Sequence, residues 1–175
     1  MYRCNLLFAV LLLLTSCSHT PTSDLVASNV FGSRTNYDAV MAAGNIQVCR
    51  LSIDPNAPPE VDGRRYVEGE KLPASAAQAK RLKAILANPK SYSFDIAKGC
   101  GPTYGVRFLF SPEKAADDTP PIALNLCFEC NILTLTRANN TLGDEDFDNA
   151  RAGLVALCKE LFPRDEEIQS LEVMK

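Results

Sequence analysis

A short apolar run near the start of the chain constrains what the rest of the chain can fold into. Residues 1–5 carry one positive charge, at Arg3, and residues 6–14 are nine apolar residues in a row. Nine residues are too few to span a bilayer, which needs about 20. A basic start, a short apolar stretch and the small residues Thr15 and Ser16 are typical of an export signal that is removed from the mature protein.

The residues that close this segment carry a more specific pattern. Leu14-Thr15-Ser16-Cys17 resembles the lipobox of bacterial lipoproteins. That resemblance implies cleavage before Cys17, a diacylglycerol on its sulfur and an acyl chain such as palmitate on its new amino group, enough chains for stable anchoring. The same resemblance implies that Ser18 at the next position directs the protein to the outer membrane of a diderm host, so we expect a chain anchored there through Cys17 and facing the periplasm. An ordinary secretory signal and a buried N-terminal helix are the alternatives.

The length and net charge of the chain after residues 1–16 limit the kind of protein it can be. Removal of residues 1–16 from the 175-residue chain leaves 159 residues, which suits one domain. The full chain has a net charge of −3 and the removed part carries only Arg3, so the mature charge is −4. No basic patch indicates nucleic-acid binding. Residues 17–34 are polar and rich in Ser, Thr and Asn, which predicts a lipidated tether before a globular domain of residues 35–175.

Hydrophobic periodicity in this domain indicates helices and strands that are segregated along the chain. Ser75 and Gln78 form a capping box before a helical pattern that ends at Asn88-Pro89. We therefore predict an α+β fold in which an antiparallel sheet carries helices on one face. The predicted strands are residues 46–53, 64–67, 106–110 and 122–136, and the predicted helices begin near Thr35, Ser75, Phe147 and Asp165.

The apolar run of residues 122–136 changes its pattern halfway. Leu124 and Leu126 are even-numbered, whereas Leu133 and Leu135 are odd-numbered. Because side chains alternate between the two faces of a strand, one continuous strand would place these two pairs on opposite faces. An extra residue at 129–131, a β-bulge, would return all four to one face, and we predict one there. Without it, the cysteines at 127 and 130 would point to opposite faces with Cα atoms roughly 10 Å apart, beyond the reach of a disulfide.

Cysteine usage is the second informative feature. An exported protein can form disulfides, and five cysteines remain after the signal and the anchor residue are set aside. Because five is odd, at least one thiol stays free or pairs with another molecule. The five are Cys49, Cys100, Cys127, Cys130 and Cys158.

Three of these cysteines lie in a pattern that is similar to a family of small bacterial lipoproteins and secreted proteins. The pattern consists of Gly99-Cys100-Gly101 before a Gly-bearing strand, then Leu126-Cys127-Phe128-Glu129-Cys130, then the segment LVALCKELFP at residues 154–163. The similarity spans about residues 72–171. The family is uncharacterised, so the resemblance implies no reaction, ligand or partner. It implies that Cys100, Cys127 and Cys130 belong together.

Several kinds of site could use this trio. We expect a disulfide from Cys100 to either Cys127 or Cys130, which would tie the loop before one strand to its partner strand. A metal site would use all three with Glu129, Asp95 or water as the fourth ligand. A thioredoxin-like redox site would need the first sulfur at a helix N-terminus, whereas strand residues follow here.

The other candidates have structural interpretations. Cys158 lies on the apolar side of a predicted helix and is interpreted as a buried hydrophobe, with a disulfide to Cys49 as the alternative. The single histidine, His19, falls in the predicted tether. Two acidic groups, Asp117-Asp118 and residues 144–146, are interpreted as a solvated loop and a helix start, with weak calcium binding as the alternative.

Taken together, the sequence predicts a lipoprotein that acts as a non-enzymatic binding or envelope-interaction module. Its expected partners are the membrane, through Cys17, and an envelope protein or ligand of unknown identity. No cofactor and no catalytic residue are predicted. The alternative function is a thiol-dependent redox or metal-handling protein that uses Cys100, Cys127 and Cys130.

Overall fold

The structure is a computed structural model that describes residues 21–60, 63–96, 98–112 and 119–173. The predicted signal segment, Cys17, His19 and Asp117-Asp118 lie outside the described residues. Within the described ranges, no helix is long and apolar enough to cross a membrane.

An antiparallel sheet forms the centre of the described part of the chain. Its seven strands are β1 (Asn45–Ile53), β2 (Tyr66–Glu68), β3 (Leu72–Pro73), β4 (Val106–Ser111), β5 (Ile122–Cys127), β6 (Ile132–Arg137) and β7 (Asn140–Asp146). They lie in the order β2-β1-β4-β5-β6-β7, with β3 also paired to β1. Every pairing is antiparallel, which confirms the predicted kind of sheet.

Helices cover one face of this sheet. The described residues form five α-helices: α1 (Pro21–Asn29), α2 (Arg34–Ala42), α3 (Ala76–Ala87), α4 (Arg151–Leu161) and α5 (Glu166–Ser170). Val48, Phe108 and Leu124 project from the strands into the same core cluster as Leu82 of α3 and Leu154 of α4. The alternation of the strands and the apolar faces of the helices therefore meet in one core, and the single-domain α+β prediction is confirmed.

The predicted bulge at residues 129–131 is wrong, because the chain reverses there. β5 ends at Cys127, residues 128–131 form a turn, and β6 returns beside β5 with Cys127 opposite Ile132. Leu126 lies opposite Leu133 and Leu124 opposite Leu135 in this register. A hairpin with four turn residues places even-numbered residues of one strand opposite odd-numbered residues of the next. The four leucines therefore share one face, as they would in a single strand with a bulge.

The predicted tether at residues 17–34 differs from the structure in its second half. Residues 21–29 form α1, and Val26, Val30 and Phe31 are fully buried in the core. The α2 helix begins at Arg34, next to the predicted start at Thr35, and is capped by Ser33, whose side chain accepts a hydrogen bond from Asn36 N. The composition looked polar because the three buried residues are separated by Ser and Asn, which lie on the outer side.

The acidic residues 144–146 also lie elsewhere than predicted. They belong to β7, and the helical turn that precedes α4 begins at Asp148. Asp146 is buried, and its Oδ1 accepts a hydrogen bond from Asp148 N at 2.8 Å. These residues lie in a strand because the Ala138-Asn139 turn, with both residues at positive φ, closes a second hairpin that pairs β7 with β6.

The face of the sheet away from the helices holds a buried polar network. Arg107 donates hydrogen bonds to Asn125 Oδ1 at 2.7 Å, Glu68 Oε1 at 2.8 Å and Glu60 Oε2 at 2.6 Å. Burial lowers the pKa of Arg107, but its hydrogen bonds to the two glutamates outweigh this and hold the pKa above its ordinary value. This network ties β2 and the segment before it to the middle of the sheet.

Candidate functional site

A disulfide joins Cys100 to Cys130 beside the end of the sheet. Cys100 is exposed in the segment before β4, and Cys130 is buried in the turn of residues 128–131, here called the cysteine turn. Their Cα atoms are 6.3 Å apart, which suits a disulfide. Of the two partners that the sequence left open for Cys100, the structure pairs it with Cys130.

Cys127 lies beside this bond as a free thiol. It is the last residue of β5 and is fully buried on the face away from the helices, in a small cluster with Leu51, Tyr66 and Tyr104. Its Sγ accepts a hydrogen bond from the backbone N–H of Cys130 at 3.4 Å. The structure therefore brings all three cysteines together, as the family resemblance implied, while only two of them are bonded to each other.

Lys98 attaches the cysteine turn to the start of the last helices. Its Nζ donates to the carbonyl of Cys130 at 2.8 Å and to Asp148 Oδ1 at 2.8 Å, and it pairs with the buried carboxylate of Asp146. Burial lowers the pKa of Lys98, but hydrogen bonds to both carboxylates outweigh it and raise the pKa above its ordinary value. Lys98 lowers the pKa of Asp148 in turn.

A buried arginine holds the same turn from the other side. Arg151, at the start of α4, donates to the carbonyl of Phe128 and to Asn131 Oδ1, and its guanidinium lies 5.8 Å from the centre of the Phe128 ring. Asn131 has a φ of 55°, a left-handed conformation that Asn tolerates better than most residues. The disulfide, Lys98 and Arg151 together restrict the cysteine turn to one conformation.

The remaining two cysteines do not form the alternative bridge. Cys49 and Cys158 are both free and buried. Cys158 lies in the core under the helices, whereas Cys49 follows Val48 and so points to the opposite face of the sheet. Burial raises the pKa of Cys49 to about 11 and that of Cys158 to about 12, so both thiols are protonated and unreactive at neutral pH.

The alternative metal site receives no support from the geometry. In the described ranges, no group of three or more His, Cys, Asp or Glu side chains is arranged to hold a metal ion. The bond between Cys100 and Cys130 occupies two of the three proposed ligands, and Asp95 and Glu129 are both exposed.

A cleft of about 320 Å³ opens next to the cysteine turn, at the end of the sheet. We call it the sheet-end cleft. One wall is the end of β1, a second is the segment before β4, a third is the cysteine turn, and α5 closes the side toward the helices. Its lining consists of Arg50, Leu51, Ser52, Ile53, Thr103, Tyr104, Gly105, Phe128, Glu129, Glu167, Ile168 and Leu171.

Charged groups at the cleft fall into two kinds. Arg50 is fully engaged, because it pairs with Asp165 at 2.8 Å and Glu167 at 2.5 Å and donates to the carbonyl of Gly105 at 2.6 Å. It therefore links β1, β4 and α5 around the opening. Glu129 is exposed at the opposite wall, and no ion pair joins it to a basic side chain of the described residues. The cleft thus has one fixed charge network and one carboxylate available to a ligand.

The sheet-end cleft has no signature in the sequence. Its residues come from four separate segments, and none of them forms a recognisable motif. The one local signal is Gly105, directly before β4, where an added Cβ would lie 3.1 Å from Arg50 Nη1. The limited space at Gly105 depends on the fold, and it could not be predicted before β1 and β4 were known to be neighbours.

Comparison of the chain with protein-family models, with curated proteins and with solved structures finds no match.

Proposed function

We propose that this chain is a lipoprotein anchored to the outer membrane and facing the periplasm, and that its α+β domain is a non-enzymatic binding or envelope-interaction module. The sheet-end cleft is its binding site. The observation that carries this proposal is that the cleft is preformed: the disulfide holds one wall and the Arg50 ion pairs hold the others. Rigid walls favour binding because little ordering is needed when a ligand enters.

The chemistry of the lining suits recognition. Leu51, Ile53, Phe128 and Leu171 supply apolar surface, and Glu129 supplies a carboxylate at the rim. Binding clefts combine a mostly apolar lining with a few polar groups that orient the ligand. The size of about 320 Å³ matches a small ligand or a few residues of a peptide.

The proposed lipid anchor keeps the domain close to the membrane, and this limits the partners that it can reach. Three residues separate the predicted lipid site, Cys17, from the start of α1 at Pro21, so the four residue steps between them reach at most about 14 Å. The domain would therefore stay at the membrane surface. The partner is accordingly an envelope protein or a ligand found there.

Site-specific crosslinking in cells tests the binding role. A photoreactive residue is placed at Ile53 in the cleft or, as the control, at Leu25 on α1; these side chains are 56% and 43% exposed. We expect a defined crosslinked species at Ile53 and none at Leu25. Crosslinking that is equal at both positions, or absent at Ile53, would contradict a binding site in the cleft.

Thiol–disulfide exchange is a second candidate function, favoured by the hydrogen bond between Cys130 N–H and Cys127 Sγ. The Cys127 thiolate would attack Sγ of Cys130, the bond to Cys100 would break, and Cys100 would leave as a thiolate that takes up the proton lost by Cys127. Incubation in a glutathione buffer followed by acid trapping tests this step. A trapped Cys127–Cys130 bond with a free Cys100 would favour this candidate, and an unchanged Cys100–Cys130 bond would exclude it.

A further inference from the structure

The backbone of β1 has an unused edge inside the sheet-end cleft. Arg50 O accepts from Gly69 N, and the N–H of Asp54, the residue after β1, donates to Arg65 O, so the even-numbered residues at this end of β1 direct their backbone groups toward β2. Leu51 N donates to Gly105 O on the other side. In an antiparallel sheet the direction alternates, so the N–H and C=O of Ile53 also point toward the β4 side.

β4 does not extend far enough to reach Ile53. The last register pair between the two strands is Arg50 with Val106, and Gly105 turns its N–H away to Leu126 O. Tyr104 lies outside the strand: its backbone N–H donates to the Tyr66 hydroxyl, and its own hydroxyl bonds Thr134 on the far face. Within the described residues, the hydrogen bonds of the sheet leave the N–H and C=O of Ile53 without a backbone partner.

The side chains around this edge favour a particular kind of occupant. Ile53 is an exposed apolar side chain at the strand end, and β-branched residues pair well across strands. The opposite wall presents Glu129, whose charge would be complemented by a Lys or Arg. Arg50 cannot supply that complement because Asp165 and Glu167 already hold it.

We propose that the sheet-end cleft binds an extended peptide segment of a partner protein by β-strand addition to Ile53, with a basic side chain of that segment against Glu129. The segment would continue the line of β4 and pair antiparallel with the end of β1. This inference rests on the proposed binding function and specifies the class of partner.

A proline substitution at Ile53 separates strand pairing from other binding modes. I53P removes the unused N–H but leaves the bonds of Ser52 and Asp54 to β2 intact, and proline is tolerated where a strand edge faces solvent. I53T keeps the N–H and the β-branched shape. Equal thermal melting of the two variants would show that both retain the fold.

The probe is a pool of acetylated hexapeptides of Val, Ile, Thr and Ser with one fixed Lys, titrated at millimolar total concentration into the full chain in detergent. We expect chemical-shift changes at Ile53 and Glu129, binding by I53T within a factor of about three, and at least about tenfold weaker binding by I53P. A matched pool with Glu in place of Lys should bind at least about tenfold more weakly, because the added carboxylate faces Glu129.

Charge variants test the second contact. E129Q should weaken binding of the Lys pool, whereas E70Q, which removes an exposed carboxylate outside the cleft, should not. Equal binding by I53P and I53T would overturn strand addition while leaving the cleft as a binding site. The absence of any shift at Ile53 with the Lys pool would overturn the peptide inference, and crosslinking at Ile53 in cells would then still decide the proposed function independently.

Discussion

At the scale of single residues, exposure separates the roles of the three clustered cysteines. Cys100 is exposed, whereas Cys130 and Cys127 are both buried, Cys127 completely. A disulfide between the first two fixes an otherwise external segment onto the cysteine turn. Cys127 packs beneath it as a small apolar side chain, so we assign stability to the bonded pair and packing to the third cysteine.

Removal of the exposed partner tests this assignment. C100S should lower the free energy of unfolding by roughly 3.5 kcal/mol, because the bond closes a long loop in the unfolded chain. The serine itself should cost little since position 100 is exposed. Denaturant unfolding under non-reducing conditions measures the difference.

The matched comparison is the wild-type chain with a reductant. Reduction should lower its stability to the level of C100S, and the reductant should have little effect on C100S itself. Equal stability of wild type and C100S without reductant would show that the disulfide does not form or does not stabilise the domain.

Lys98 gives a pH-dependent contribution to stability. Because Lys98 lowers the pKa of Asp148 from 3.8, their pairing stabilises the fold fully above pH 3.8 and loses this effect as the pH falls through the lower folded value. K98M should therefore be less stable than the wild type at pH 7, and the difference should shrink below pH 3.8. Thermal melting from pH 7 to pH 2 measures it.

A lysine elsewhere supplies the control for this series. K80M changes the net charge by the same amount at an exposed position of α3. We expect its melting temperature to follow that of the wild type at each pH. A K98M difference that is independent of pH would contradict the pairing with Asp148.

At the scale of elements, the residues that follow α1 contact β7 closely enough to belong to the domain. A Cβ on Gly143 would lie 2.4 Å from the carbonyl oxygen of Val30, and one on Gly32 would lie 1.9 Å from that of Leu142. Two backbones approach this closely only because both positions are glycine. The segment after α1 is therefore an integral part of the fold rather than a tether.

G143A tests that conclusion. The added methyl group must push the segment after α1 away from β7, and we expect a loss of about 1 to 3 kcal/mol in the free energy of unfolding. G99A is the control, since nothing lies within 4 Å of a Cβ at that position. Equal stability of G143A and G99A in denaturant unfolding would contradict this contact and would favour a segment after α1 that does not pack on β7.

The elements differ in how well the sequence predicts them. The Ser75–Gln78 capping box forms as predicted, because both of its hydrogen bonds depend only on residues three apart. The bulge at residues 129–131 was wrong since a bulge and a four-residue hairpin change parity in the same way. Choosing between them requires knowing that Leu126 and Leu133 are opposite each other, which is tertiary information.

At the scale of the whole molecule, the candidate site combines a part that the sequence predicts and a part that it does not. The family resemblance grouped Cys100, Cys127 and Cys130. The sheet-end cleft could not, because Ile53, Glu129 and Glu167 are each far apart in the chain and become neighbours only when β1, the cysteine turn and α5 meet. Unused backbone groups such as those of Ile53 have no signature in the sequence.

A peptide map by mass spectrometry of the mature protein, alkylated before and after reduction, reads the state of every cysteine in one experiment. We expect a Cys100–Cys130 disulfide, free thiols at Cys127, Cys49 and Cys158, and an acylated N-terminal Cys17. A Cys127–Cys130 bond, or reduced Cys100, Cys127 and Cys130 that retain a metal in native mass analysis, would contradict a structural disulfide beside a binding cleft. An unmodified Cys17 would contradict the lipid anchor.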